Sequence, residues 1–115
     1  IINMATITGD ELRGHLATLV LSVLARGEAH GYEVLRRIEK AGSGALELKE
    51  GTLYPALYRL EQAGLITARW ESSKETRRGP RRRIYRLTTK GKAELDRSRA
   101  SWRNFVSVLD RIVEA

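Results

Sequence analysis

The chain contains no cysteine, which excludes disulfides, thiolate metal sites and a cysteine nucleophile. Its two histidines, His15 and His30, stand far apart, so no histidine-rich metal site is expected. No apolar run reaches the roughly 18 residues that a membrane helix needs. No basic segment followed by an apolar one opens the chain, so a signal peptide is not expected either. Met4 has the look of a natural start, which leaves Ile1, Ile2 and Asn3 as added residues or as a natural extension. The carboxylates Glu47, Glu50 and Glu61 are scattered, and there is neither a phosphate loop nor a nucleophile elbow. The expectation is therefore a cytoplasmic protein that is not an enzyme, with no cofactor, no metal and no membrane partner.

What the chain has is basic charge and a packable interior. Its 115 residues are 42% hydrophobic, enough for one folded domain whose small core a partner subunit could extend. The formal net charge is +7, which favours a polyanionic partner, nucleic acid first. The distribution says more than the total. Arg69, Lys74, Arg77, Arg78, Arg81, Arg82, Arg83 and Arg86 crowd one short segment, against only Glu71 and Glu75. Gly79-Pro80 interrupts this run and strand-like sequence flanks it, so it reads as the tip of a hairpin rather than as a solvated charge run.

Apolar periodicity predicts a first helix over residues 10–26, from Leu12, Leu16, Leu19, Val20, Val23 and Leu24. Thr8 and Glu11 have capping-box spacing before it, and Gly27 stops it. A second helix is predicted over 31–41, ended by Gly42-Ser43-Gly44. A third covers 50–63, with Leu53, Leu57 and Leu60 on one side and Gly51, Thr52, Tyr54, Pro55, Tyr58, Arg59 and Gln62 on the other. Pro55 is tolerated within a first turn, so this helix is expected to begin only a few residues before it. Two strands follow, over 66–71 and 82–88, joined by a polar turn over 72–80. A last helix runs from Thr88 or Thr89 to near the end. Leu95, Trp102 and Leu109 recur at seven-residue steps along it, as do Phe105 and Ile112.

Three helices followed by a two-stranded hairpin make a mainly α (α+β) winged helix-turn-helix. Such a fold puts its third helix into the DNA major groove and its hairpin over the flanking backbone. Residues 8–88 are expected to form the DNA-binding domain and 89–115 a dimerisation helix. The third helix exposes small, hydroxylated and aromatic groups near its N-terminus, where base edges are read. The arginines of the hairpin suit phosphates. The DNA-facing candidates are Tyr32, Lys49, Gly51, Thr52, Tyr54, Pro55, Tyr58 and Arg59, with Arg77, Arg78, Arg81, Arg82 and Arg83 on the wing. Side chains alternate along a strand, so Arg81, Arg82 and Arg83 do not all face DNA. Tyr32 has packing as its competing role, and Arg59 has pairing with a carboxylate. For His30 a structural role at a helix start is expected.

At this point the residues resemble a known family. Gly51-Thr52-Leu53-Tyr54-Pro55-Ala56-Leu57-Tyr58-Arg59-Leu60-Glu61, followed by Gly64-Leu65-Ile66, closely resembles the recognition-helix signature of the PadR family of bacterial regulators. His30-Gly31-Tyr32-Glu33 is similar to the start of that family's second helix. Gly79-Pro80-Arg81-Arg82-Arg83, Tyr85-Arg86-Leu87-Thr88 and Gly91 are similar to its wing and to the cap of its last helix. The resemblance implies a homodimeric, usually autoregulating repressor of stress-response or efflux genes, often relieved by an inducer. The single C-terminal helix resembles the family's short form. Lys49 departs from the family, which often has a capping serine there; a lysine cannot cap but can meet phosphate.

The last helix carries the dimer expectation. Leu95, Trp102, Phe105, Val106, Leu109, Ile112 and Val113 need a partner to cover them, and Leu12, Leu16 and Val20 of the first helix are the expected complementary surface. In some short relatives, tryptophans on this helix line a dimer-interface pocket for flat aromatic compounds. Trp102 is therefore the candidate contact for a small planar aromatic inducer. Two other readings remain open from sequence: a sequence-tolerant architectural binder of nucleic acid, and a winged helix used for protein contacts. The concentrated basic wing argues against the second.

Overall fold

The computed structural model describes residues 6–72 and 79–115; Arg77 and Arg78, with most of the polar turn, lie outside the described residues. The elements run α1 (Gly9–Leu12), α2 (Leu16–Leu24), β1 (Ala29–His30), α3 (Gly31–Ala41), α4 (Glu50–Gln62), β2 (Ile66–Trp70), β3 (Arg83–Leu87) and α5 (Thr89–Val113). The three strands form one antiparallel sheet in the order β1-β3-β2. The fold is the expected α+β winged helix, with two corrections.

The first concerns the N-terminal helix, which is two helices rather than one. Gly14 takes φ +90°, in the left-handed region, and breaks the helix between Leu12 and Leu16. The capping-box contact stands in front of the break: Thr8 N–H donates to Glu11 Oε1 at 3.4 Å. The second is β1, a strand of only two residues that no alternation pattern can announce. Its pairing of Ala29 with Tyr85 and His30 with Ile84 ties the start of α3 to the wing.

The core lies where α2, α3, α4 and the sheet converge. Val20, Leu21, Val34, Leu53, Leu57 and Ile66 are fully buried in it. Leu12, Leu16, Val20 and Leu95 belong to this same core. They therefore offer no free surface to a second chain, which corrects their expected place in a dimer interface. The reason is geometric: once Gly14 turns the chain, α2 points its leucine stripe inward onto α3 and α4.

Thr88 caps α5, its hydroxyl accepting the Gly91 N–H at 3.0 Å. Gly91 is required there, because a Cβ would overlap the Leu65 carbonyl oxygen. Past Leu95 the helix leaves the core, and Trp102, Phe105, Leu109, Ile112 and Val113 are all exposed. Val106 is half-buried. No helix among the described residues is long and apolar enough to cross a membrane.

Candidate nucleic-acid interface

α4 separates its side chains cleanly. Leu53, Ala56, Leu57 and Leu60 are buried, while Gly51, Thr52, Tyr54, Pro55, Tyr58 and Arg59 face outward. Lys49 sits at the N-cap in extended conformation and makes no side-chain cap bond, so its ammonium is available to solvent or phosphate. Pro55 is the sixth helical residue, in the second turn rather than in the first as its tolerance suggested. Lacking an N–H, it cannot bond the Gly51 carbonyl, and Gly51 is itself exposed.

Tyr54 is half-exposed and packs its ring over Gly31, where a Cβ would come within 2.6 Å of the ring. Burial, and then the nearby Glu50 carboxylate, push its hydroxyl above the usual tyrosine range. Tyr32 follows Gly31 on the first turn of α3 and is half-exposed, and Tyr58 one turn further along α4 is more exposed still. His30 holds the start of α3: its Nδ1 accepts the Glu33 N–H at 3.1 Å. The expected structural role is thus a side-chain cap.

The wing arginines divide. Arg82 places Nε and Nη2 at 3.3 and 3.1 Å from Glu71 Oε2, and its Nη1 lies 2.9 Å from His30 Nε2. Glu71 is 2% exposed, so Arg82 is committed to neutralising a buried carboxylate. Arg83 forks onto Glu61 of α4 at 3.3 and 2.8 Å and lies over the Trp70 and Tyr85 rings. Both side chains are tied to carboxylates, Arg82 to Glu71 and Arg83 to Glu61, the supporting role that alternation along the strand allowed for part of this run. Arg81 is exposed and, among the described residues, donates to the Glu71 carbonyl at 2.8 Å. Arg86 is exposed as well. Sequence reasoning missed the anchoring roles of Glu61 and Glu71. Their partners lie 22 and 11 residues away, and no local pattern links them.

At the other end of the molecule, Trp102 stacks on Phe105 with ring centres 5.9 Å apart, and His15 meets Trp102 edge-on at 5.2 Å. This cluster edges a cleft between the start of α2 and the middle of α5.

The chain matches known proteins along most of its length. The model of the transcriptional regulator PadR-like family matches residues 20–97. The chain belongs to the PadR-like family of transcriptional regulators. An uncharacterized protein from Lysinibacillus sphaericus is 30% identical over 108 residues, 94% of this chain and 96% of that one. Transcriptional regulator Rv3488 of Mycobacterium tuberculosis is 35% identical over 80 residues, 70% of this chain and 68% of that one. The solved structure of a transcriptional regulator from Clostridium thermocellum superposes with a TM-score of 0.80 at 31% identity, covering 90% of this chain and 98% of that one. A PadR-like chain is a DNA-binding regulator of transcription.

Proposed function

We propose that the protein is a homodimeric repressor that reads a palindromic operator, with residues 8–88 as the DNA-binding domain and 89–115 as the dimerisation helix. The observation that carries this reading is the two-sided α4: every leucine inward, and Lys49, Thr52, Tyr54, Tyr58 and Arg59 outward, with an exposed Arg81 on the wing. Thr52 and Tyr54 read bases; Lys49, Arg59 and Arg81 hold phosphates. Tyr32, Gly51 and Pro55 complete the surface that approaches the groove.

The dimer half of the reading rests on α5. Trp102 and Phe105 are each about half exposed, and Ile112 and Val113 are 71% and 74% exposed, on a helix that has left its own core. A contiguous apolar face of this kind calls for a partner. A two-fold dimer sets its recognition helices about one DNA turn, ~34 Å, apart. Sedimentation of the protein with a duplex selected from its own promoter tests this: two chains per duplex support the reading, and one chain per duplex contradicts it.

Release by a flat aromatic inducer completes the proposal. It is supported by the Trp102–Phe105 stack beside a cleft of about 420 Å³. Quenching of Trp102 fluorescence by planar cations, lost in Trp102→Ala, is the matching test.

A further inference from the structure

The N-terminal arm does not trail away from the DNA-binding face; it is pinned beside it. Ile7 N–H donates to the Ala45 carbonyl at 2.9 Å, and Glu47 N–H donates to the Ile7 carbonyl at 2.8 Å. This parallel bridge fastens the arm to the segment that leads into α4. α1 follows at once, and its Gly9 backbone lies against Thr52, whose Oγ1 is 3.5 Å from where a Cβ on Gly9 would stand. Leu12 anchors the far end of α1 in the core, and Gly14 then turns the chain into α2.

Between this arm and α4 runs an open cleft of about 700 Å³. Arg13 and Asp10 form one wall, and Lys49, Thr52 and Arg59 the other. Glu47 lines it as well. Lys49 and Arg59 have no carboxylate partner among the described residues. Arg13 is 83% exposed and, among the described residues, is paired with Asp10, itself 90% exposed, across 3.2 Å. An ion pair in that much water is weak and exchangeable.

We infer that the α1 arm is a third element of the DNA-binding face. A phosphodiester strand beside the recognition helix enters this cleft, and Arg13 exchanges Asp10 for a phosphate. Three cations, one from the arm and two from α4, then line one stretch of backbone, continuous with the surface that reads bases. Asp10 acts in the opposite sense: it neutralises Arg13 when DNA is absent and repels the strand when DNA is present. The inference rests on the proposed DNA-reading role of α4.

The experiment compares Arg13→Ala, Asp10→Asn and Thr52→Ala by anisotropy on operator and scrambled duplexes across a salt series, with thermal melts to confirm folding. Both Arg13 and Asp10 are too exposed for their replacement to unfold the chain. Arg13→Ala is expected to weaken binding to both duplexes and to lower the salt slope by about one unit per subunit. Asp10→Asn is expected to strengthen binding severalfold. The opposite signs are decisive, because a purely structural ion pair would respond alike to loss of either partner. If Asp10→Asn weakens binding as Arg13→Ala does, or if Arg13→Ala changes nothing while Thr52→Ala loses operator preference, the arm is not part of the face, although α4 still is. If Thr52→Ala is also without effect, the reading of α4 fails first.

Discussion

Tyr54 of α4 rests directly on Gly31 of α3, with no room for a single methyl group between them. The contact sets the height at which the Tyr54 hydroxyl stands above the surface. Gly31→Ala should therefore displace the ring, at a cost of about 1–3 kcal/mol for overpacking. Tyr54→Ala removes the obstacle, so the double variant should be less destabilised than the sum of the two single ones. Chemical denaturation of the four proteins measures the coupling, and strict additivity would mean that the two residues do not share the space.

Arg81 and Arg82 are neighbours in different surroundings, the first exposed and the second on a buried carboxylate. Arg82→Ala strands the buried Glu71 carboxylate, and about 2–3 kcal/mol of stability should go with it. That is somewhat below the about 3–5 kcal/mol of a fully buried pair, because a third of the Arg82 side chain stays in water. Arg81→Ala should cost under about 1 kcal/mol but should weaken DNA binding whatever the sequence. Thermal melts and anisotropy on both variants check the division. Equal melting losses would show that Arg81 too is a structural residue.

Tyr85 gives the fold an alkaline limit. Burial raises its hydroxyl above 10.0, with the Arg83 guanidinium opposing and Glu61 and Tyr54 adding to the rise. The unfolded ring ionises near 10, and the folded one higher. Its contribution to stability is thus complete below pH 10 and is lost as pH climbs through the folded value. The melting temperature should fall between pH 9 and 11, and fall less steeply in Tyr85→Phe. Parallel curves for the two proteins would place the alkaline transition elsewhere.

The exposed stripe of α5 makes a separate prediction. Phe105→Lys or Leu109→Lys should convert a dimer to a monomer at micromolar concentration without altering the circular dichroism of the domain, since both side chains lie outside its core. A dimer that survives both changes would have to be built on another surface.

Much of this was legible in the sequence, for a physical reason: α4 is amphipathic, its boundaries carry glycine, and its outward residues follow from period alone. The two sides of α4 and the exposed end of α5 were readable in this way. Gly14 was not, because a glycine within an apolar period looks like a tolerated helix residue until its φ is seen. That one torsion moves Leu12, Leu16 and Val20 from a supposed interface into the core. The split between Arg81, Arg82 and Arg83 was legible only as a parity argument. Which of them turns inward depends on Glu61 and Glu71, and those contacts exist only after β3 has docked.

The central claim, that α4 and the wing form a sequence-reading face, is tested most directly by anisotropy of the protein on a palindromic segment of its own promoter beside a scrambled duplex, across a salt series. A preference of roughly a thousandfold or more, saturating at two chains per site, is the predicted result. Equal and steeply salt-dependent binding to both duplexes would contradict it, leaving a basic wing that binds DNA without reading it.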